Sequence, residues 1–356
     1  MWPYLSLFAM PTIFGLTNRR GFFNDFLWVA GFFAIILFVG LRHKVGMDWN
    51  NYLLMIERVS LLSLDEALRF VEPSYGFLLW LGVKSGFSIY FTNVVTSAIF
   101  VTGLYAFLSK TEEPWLGLIA ALPILIIVVA MSANRQAPAI GILMLVTAFW
   151  YQLKLPVKVA LILFASTFHF SAFFFLVFIA LNLRIHFFIK MFASLFAGAL
   201  MLYVFTATNI GNYYNSLYIV NENEITQSQG ALVHVALNAF FGALIFLKKN
   251  VREILFPTPL LKQLGVLAIF LFFLAIFIPN ASARMSLYLF PVSIYVISRM
   301  PMLFNMGTRP FIRMFVALLF GLQSWGWLTY ANSAAGHIPY GNYLFVDEEL
   351  KFNLGK

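Results

Sequence analysis

Ionisable side chains are rare in this sequence, and the stretch from Leu41 to Gly76 holds many of them. It reads LRHKVGMDWNNYLLMIERVSLLSLDEALRFVEPSYG and lies between two long apolar runs. Asp48 and Glu72 are its candidates for proton transfer, because a positioned carboxylate or histidine can take a proton from a reacting hydroxyl. Asp48 also stands where it can cap a helix, and Glu72 where it can pair with a cation, so structural roles remain open.

Two arginines outside this stretch stand at the predicted starts of apolar helices. Arg135 follows SAN and Arg284 follows NASA. The helix dipole opposes a cation at an N-terminus, so this placement favours an anion shared between the guanidinium and the free N–H groups. Phosphate and diphosphate suit the planar guanidinium, and Arg42 is a third candidate ligand. The structural alternative is an arginine that snorkels to lipid headgroups or pairs with a carboxylate.

Two histidines complete the candidate residues. His169 interrupts the apolar run FASTFHFSAFF. An ionisable group inside a membrane often marks a functional site, although a packed core histidine explains His169 equally well. His337, in AAGHIPYGNY, is a candidate for substrate binding. The histidines are scattered, without H-x-x-x-H or D-x-D spacing, so we predict no metal and no cofactor.

The rest of the chain is apolar enough to lie in a membrane. Of its 356 residues, 62% are hydrophobic and 10% are charged, whereas about a quarter of a soluble domain is charged. Apolar runs of about 20 residues cross a bilayer as helices. We therefore predict an all-α polytopic integral membrane protein that forms a single domain, 1–356. About ten transmembrane helices are predicted, near 2–16, 22–41, 88–108, 115–131, 135–153, 187–207, 231–247, 263–279, 284–300 and 310–330.

The region 157–183 is too long for one straight span and too short for two. We predict a re-entrant pair of short helices that is broken at His169. Non-helical backbone at membrane depth is tolerated only against protein or a water-filled cavity. The break therefore makes His169 a candidate cavity residue.

The distribution of lysine and arginine predicts the orientation. With these spans, 14 of the 23 basic residues fall on one side, which the positive-inside rule makes cytoplasmic. They are Arg19, Arg20, Lys110, Lys154, Lys158, Arg184, Lys190, Lys248, Lys249, Arg252, Lys262, Arg299, Arg309 and Arg313. Loops 42–87 and 208–230 and the C-terminal segment 331–356 then face outward. Because the net charge of +9 mostly flanks spans, nucleic acid is not a predicted partner.

The outer loop, 42–87, is predicted to be helical and to lie in the membrane interface. Ser63 and Glu66 have the spacing of a capping box, and Pro73 can occupy the first position of a further helix. This segment would therefore be an ordered platform at the membrane surface.

Several short patterns occur in a fixed order. They are Arg42; G-x-D-x-x-x-Y at Gly46, Asp48 and Tyr52; E-P-x-Y-G at Glu72, Pro73, Tyr75 and Gly76; R-Q-x-x-A at Arg135, Gln136 and Ala139; F-H-x-S-A at Phe168, His169, Ser171 and Ala172; and R-x-x-x-Y at Arg284 and Tyr288. The ordered set resembles the EpsG-like branch of Wzy-type polysaccharide polymerases. The resemblance runs from Arg42 to Tyr340. It departs from the family pattern at Trp49, where tyrosine is common, and at Pro138 inside the R-Q helix.

The resemblance implies a GT-C-like, metal-independent glycosyltransferase of the bacterial inner membrane, with its active site facing the periplasm. Such an enzyme transfers a growing glycan from undecaprenyl diphosphate onto a sugar hydroxyl of a lipid-linked oligosaccharide repeat unit. A chain-length regulator is a further candidate partner. Asp48, Glu72 or His169 would be the base. Arg42, Arg135 and Arg284 would hold the diphosphate, and Tyr52, Tyr75, Tyr288 and His337 would contact the substrate.

Three other functions would use parts of the same sequence. An O-antigen ligase would use the same arginines with a different acceptor. A transporter or flippase for lipid-linked oligosaccharide predicts two halves related by internal symmetry, and the sequence shows none. A membrane acyltransferase would make His169 central, but FASTFHFSAFF places no Asn or Asp nearby.

Overall fold

The computed structural model describes residues 1–17, 21–183, 186, 188, 189, 192, 196 and 229–346. These residues are 80% helical with almost no strand, which confirms the all-α prediction. Several predicted features lie outside them: nearly all of the 208–230 loop, most of the 187–207 span, residues 347–356, and Arg19, Arg20, Arg184 and Lys190.

The elements of the described residues are numbered here in chain order. The α-helices are α1 (Trp2–Thr17), α2 (Phe22–Gly40), α3 (Trp49–Ser60), α4 (Leu64–Phe70), α5 (Pro73–Lys84), α6 (Ser88–Leu108), α7 (Pro114–Ala121), α8 (Gln136–Ala148), α9 (Leu155–Ser166), α10 (Leu176–Asn182), α11 (Gln229–Ala243), α12 (Lys249–Leu255), α13 (Pro259–Leu274), α14 (Pro279–Leu287), α15 (Phe290–Arg299) and α16 (Arg309–Tyr330). A π-helix, Leu122–Ala130, continues α7, and 3₁₀ helices cover Phe170–Phe175, Leu244–Phe246, Met300–Leu303, Asn332–Gly336 and Tyr343–Phe345. The strands are β1 (Arg42–His43) and β2 (Gly341–Asn342).

Within the described part of the chain, three helices are long and apolar enough to cross a bilayer alone: α2, α6 and α16. Two bent pairs raise the number to five if each pair is one span. These pairs are α12 with α13, bent by 99°, and α14 with α15, bent by 50°. Other predicted spans are shorter apolar helices, among them α8 and the continuous run of α7 and the π-helix. The helices support a multi-pass membrane protein, and the number of ten spans stays a prediction.

Two predicted helix boundaries are wrong. The span predicted at 284–300 is two helices, because α14 begins at Pro279 and ends at Leu287 before α15 starts. Pro291 lies in the first turn of α15, where its missing N–H costs nothing. In a continuous helix its ring would clash with the carbonyl of residue i−4, which is Leu287, so α14 ends there. The span predicted at 135–153 ends at Ala148 and is followed by a turn.

The helix pair predicted over 157–183 breaks at the expected residue. α9 ends at Ser166, and after His169 the chain continues as a 3₁₀ helix and α10, which packs back against α9. The tip of this hairpin reaches the outer loop. The Ser74 amide donates to the Thr167 carbonyl at 3.0 Å, and the two hydroxyls lie 2.6 Å apart. These contacts place His169 at the junction between the hairpin and the outer loop.

The outer loop folds as the three helices α3, α4 and α5, as predicted. The capping box is present: the Ser63 hydroxyl accepts from the Glu66 amide, and the Glu66 carboxylate accepts from the Ser63 amide at 2.8 Å. Pro73 occupies the start of α5. The loop has a hydrophobic cluster of its own, which contains Trp49, Tyr52, Ile56, Val59, Ala67, Val71, Tyr75, Leu79, Ile89 and Tyr90.

A two-stranded antiparallel ribbon, absent from the sequence predictions, joins the outer loop to the C-terminal segment. Arg42 pairs with Asn342, and His43 pairs with Gly341. Gly46 follows, with a φ of +110° that favours glycine, and its amide donates to the Gly336 carbonyl at 2.7 Å. A Cβ at Gly46 would overlap the Met131 carbonyl. This glycine therefore lets the start of the outer loop lie against the end of the π-helix.

Two ion pairs hold the opposite end of the bundle together. Arg313 of α16 donates two hydrogen bonds of 2.7 Å to Glu113, just before α7. Arg299, at the end of α15, lies 2.6 Å from Glu112. Both arginines belong to the set predicted to face the cytoplasm, so the fold gathers them at one end.

The orientation can be tested in this chain because it contains no cysteine. Arg42 and Glu72 are unsuitable reporters, being 1% and 2% exposed. We expect Leu61→Cys in the outer loop to react with a membrane-impermeant maleimide on intact cells, because Leu61 is 85% exposed. Met306→Cys, between α15 and α16, should react only after permeabilisation.

The matched control for this labelling is Ala67→Cys, since Ala67 is buried in the outer loop and should stay unlabelled in both conditions. Labelling of Met306→Cys on intact cells, with Leu61→Cys protected, would reverse the predicted orientation.

Candidate active site at the outer loop

Five of the predicted site residues meet where the outer loop faces α8 and α14. A guanidinium nitrogen of Arg135 lies 3.1 Å from a carboxylate oxygen of Glu72. Asp48 lies within electrostatic range of Arg284 and Arg135. His169 lies within range of Glu72 and of both arginines. We call Asp48, Glu72, Arg135, His169 and Arg284 the arginine–carboxylate cluster.

Asp48 occupies the cap position of α3, but its carboxylate accepts no capping hydrogen bond. The structural alternative for Asp48, a side chain that caps this helix, is therefore wrong. Burial raises the pKa of the Asp48 carboxyl above its ordinary value, and the opposing effect of Arg284 and Arg135 is smaller. A carboxylate with a raised pKa is a better proton acceptor than an ordinary surface aspartate.

Arg135 stands directly before α8, as predicted, and Glu72 directly before α5. Glu72 is 2% exposed and makes no capping bond, so its side chain turns toward Arg135 instead. A buried carboxylate needs a cationic or hydrogen-bonding partner, because desolvation of its charge is costly. Glu72 thereby orients the Arg135 guanidinium at the N-terminus of α8.

The position of Arg284 in its helix differs from the prediction. It lies in the last turn of α14, where the helix dipole favours a cation, so the argument from a helix N-terminus applies to Arg135 alone. The prediction failed because α14 begins at Pro279, before NASA, instead of after it. The Gln136 side chain donates to the Arg284 backbone carbonyl at 2.7 Å, which links the end of α14 to the start of α8.

His169 forms hydrogen bonds with two buried or partly buried hydroxyl groups. Its Nδ1 lies 2.6 Å from the Ser171 hydroxyl and 3.2 Å from the Tyr288 hydroxyl, and those two hydroxyls are 2.9 Å apart. His169 and Tyr288 are both buried. The F-H-x-S-A and R-x-x-x-Y patterns, far apart in the sequence, thus meet through these three side chains.

Arg42 is buried beneath the outer loop and donates to protein oxygens. Its acceptors are the carbonyls of Val39, at 2.6 Å, and Val45, at 3.2 Å, together with the side-chain oxygens of Asn93 and Asn134. These contacts give Arg42 a structural role, and its contact with a diphosphate stays a prediction.

Asn134 was missed by the sequence predictions. It accepts from Arg42, donates to Asn93 at 2.6 Å, and lies beside the hydroxyls of Tyr52 and Tyr75. Its signal was the polar run SANRQ inside an otherwise apolar region. Tyr52 and Tyr75 are both buried, and their ring centroids lie 5.8 Å apart.

His337 is also buried, and its contact with substrate stays a prediction. Its Nε2 lies 3.1 Å from the Ile127 carbonyl, its ring packs edge-on against Trp327, and its own carbonyl accepts from the Tyr4 hydroxyl. Burial lowers the pKa of His337 to about 4, so the imidazole is neutral at neutral pH. The residue fixes the C-terminal segment to the helix bundle.

Exposure separates the ten candidates into two groups. Asp48, Arg135 and Arg284 keep part of their surface exposed. The buried candidates are Arg42, Tyr52, Glu72, Tyr75, His169, Tyr288 and His337. The exposed three provide two cations and one proton acceptor, which is suited to an anionic leaving group and a hydroxyl nucleophile. No group of three His, Asp or Glu in the described residues is placed to share a metal ion.

Comparison with known proteins decides the family. A family model for the EpsG family matches residues 25–342, nearly the whole chain. The chain belongs to the EpsG family. The matched region contains every member of the arginine–carboxylate cluster, and the resemblance stated from the sequence is confirmed. EpsG proteins are polysaccharide-polymerase-like membrane proteins of the glycosyltransferase type. No curated protein and no solved structure matches the chain.

Proposed function

We propose that this EpsG-family protein is a Wzy-type polysaccharide polymerase. It transfers a growing glycan from undecaprenyl diphosphate onto a sugar hydroxyl of a lipid-linked repeat unit. The observation that carries this proposal is the convergence of Arg135, Arg284 and Asp48 at one partly exposed place beside the outer loop. A cation pair next to a carboxylate of raised pKa matches a reaction that expels a diphosphate and consumes a hydroxyl proton.

The reaction requires one bond to form and one to break. The acceptor hydroxyl oxygen attacks the anomeric carbon of the donor glycan, and the bond from that carbon to the diphosphate oxygen breaks. Asp48 takes the hydroxyl proton, and the diphosphate leaves with the electron pair. Arg135 and Arg284 stabilise the charge that develops on the leaving oxygen, which is the kind of electrostatic contribution that lowers such barriers most.

The buried candidates support the three exposed ones. Glu72 orients Arg135 by the contact at 3.1 Å. His169 and Tyr288 join the helix hairpin to the end of α14, close to Arg284. Arg42 and Asn134 hold the backbone that leads into Arg135. The base is therefore assigned to Asp48, while Glu72 and His169 are assigned positioning roles.

The proposal includes the cellular setting implied by the resemblance. The protein would lie in the bacterial inner membrane with a GT-C-like arrangement, and the outer loop would face the periplasm. The lipid bilayer and the undecaprenyl-diphosphate-linked oligosaccharide are its immediate partners, and a chain-length regulator would act on the product. The clustering of Arg299 and Arg313 at the opposite end supports this orientation.

Reconstitution of the purified protein tests the proposal. Proteoliposomes that contain lipid-linked repeat units should yield a ladder of longer lipid-linked glycans, with the same yield after chelation of divalent cations. Transfer to a lipid A–core acceptor without a ladder would favour the ligase. Movement of intact repeat units across the bilayer without new glycosidic bonds would favour the flippase. If chelation abolished the ladder, the reaction would require a divalent cation, contrary to the proposal.

Replacing Asp48 should remove the base and the pH dependence it causes. We expect Asp48→Asn to lower the polymerisation rate by about 10²- to 10⁴-fold. Asp48 must be ionised to accept a proton, and burial raises its pKa. The wild-type rate should therefore fall as pH decreases through this raised pKa, at a higher pH than for an ordinary aspartate. The residual rate of Asp48→Asn should lack this fall.

The measurement for Asp48 is the initial rate of ladder formation against pH in proteoliposomes. Asp65→Asn is the matched control, because Asp65 lies in the same loop on α4, is 70% exposed and pairs with Arg69. It should keep the wild-type profile. If Asp48→Asn kept the wild-type rate and pH profile, another residue would be the base.

A further inference from the structure

We propose that Gln136 is a positioning residue that sets the spacing between Arg135 and Arg284. This inference rests on the proposed function, since it concerns how the two guanidinium groups hold one diphosphate. The Gln136 amide side chain would hold the two cations together, so that each can meet one phosphate group of a diphosphate, whereas a monophosphate offers only one such group.

The geometry of Gln136 connects three parts of the site. The residue is the first of α8, directly after Arg135, and it is 2% exposed. Its side-chain nitrogen donates to the Arg284 carbonyl at 2.7 Å. The side chain also lies beside the Tyr288 hydroxyl, which is 3.2 Å from His169. One buried amide thus contacts the backbone that carries Arg284 while its own backbone adjoins Arg135.

A backbone contact of this kind matters because Arg284 lies near a bend. α14 ends at Leu287, and α14 and α15 meet at 50°. The Gln136 bond holds the carbonyl of Arg284 itself against α8, so it restrains movement of this arginine away from Arg135 at the bend. A displacement of about 1 Å in a positioning group can cost about 10²-fold in rate, which makes such a contact functionally significant.

Two variants of Gln136 and one control at Gln263 test this role. Gln136→Met keeps the side-chain volume and removes the donor. Gln136→Asn keeps the amide and is too short for the same reach. Gln263→Met is the control, because Gln263 accepts a bond of 2.7 Å from Asn182 between α10 and α13, outside the arginine–carboxylate cluster. Melting temperature in detergent confirms that each protein is folded.

The measured quantity is the affinity of purified protein for farnesyl diphosphate and for farnesyl monophosphate, by calorimetry. Wild type and Gln263→Met should prefer the diphosphate. We expect both Gln136 variants to bind farnesyl diphosphate about tenfold more weakly, with little change for the monophosphate, so that the preference disappears. A defect in folding alone would weaken the binding of both ligands together. If Gln136→Met does not fold, the measurement is made on Gln136→Asn.

The outcomes separate this inference from the proposed function. If wild type prefers the diphosphate and folded Gln136 variants keep that preference, the positioning role is overturned and the diphosphate site stands. If wild type shows no preference for the diphosphate, the diphosphate site itself is overturned, together with the role of Gln136. Loss of preference in the Gln136 variants alone supports the inference.

Discussion

Arg284→Ala is expected to lower polymer formation by about 10²- to 10³-fold while leaving the protein folded and its single lipid-linked repeats abundant. The size follows from the loss of one charge-stabilising group at a developing anion. Arg284 is partly exposed in the last turn of α14, so its removal also leaves a favourable helix terminus without its cation, at a cost of about 0.3–1 kcal/mol. That cost is too small to unfold the protein, and activity should fall far more than stability.

The measurement for Arg284 is the glycan ladder per amount of membrane-inserted protein. Arg284→Lys should recover part of the activity, because it restores the charge without the planar fork. Arg69→Ala is the control for a lost arginine, since Arg69 is 78% exposed on α4 and pairs only within that helix in the described contacts. Normal chain lengths from Arg284→Ala would contradict a diphosphate site at this residue.

Arg135→Ala should lose both activity and stability, which distinguishes it from Arg284→Ala. The substitution removes the cation that lies 3.1 Å from Glu72, a carboxylate only 2% exposed. Breaking a buried ion pair by removing one partner costs about 3–5 kcal/mol, because the other charge stays in a poor environment. The melting temperature should therefore fall clearly, and polymer should fall to background.

The double variant Arg135→Ala/Glu72→Gln separates the two effects. Neutralising the carboxylate removes the buried charge, so the melting temperature should return most of the way to wild type. Polymer formation should remain at background, because the cation for the diphosphate is still missing. Recovery of polymer in the double variant would mean that Arg135 only neutralises Glu72 and does not contact the substrate.

The sequence predicted the membrane class, the helical outer loop and the break at His169 because each depends on local signals. Apolar runs, the Ser63–Glu66 spacing and Pro73 each determine the secondary structure of the residues next to them. Arg135 was placed correctly at the start of α8 for the same reason. Arg284 was misplaced because a proline at 279 starts α14 earlier than the apolar pattern indicates, and a second proline at 291 divides the predicted span.

Burial of polar groups could not be predicted in this way. Arg42 and His337 carry the residue types of a binding site, yet both are buried by contacts with residues far away in the sequence, such as Asn134 and Ile127. Asn134 itself gave only a weak signal, because an amide is common in surface loops. Which polar residues stay accessible depends on tertiary packing, and that is why three of ten candidates, and not all ten, form the proposed site.

The ribbon formed by β1 and β2 has a consequence for biosynthesis. The strand that opens the outer loop leaves the ribosome early, whereas its partner strand is translated after α16, near the other end of the sequence. Contacts between such distant segments form late, because the intervening chain must first be ordered. A nascent chain would therefore insert its helices while Arg42 still lacks its strand partner, and the start of the outer loop would reach its final position only after the C-terminal segment is made.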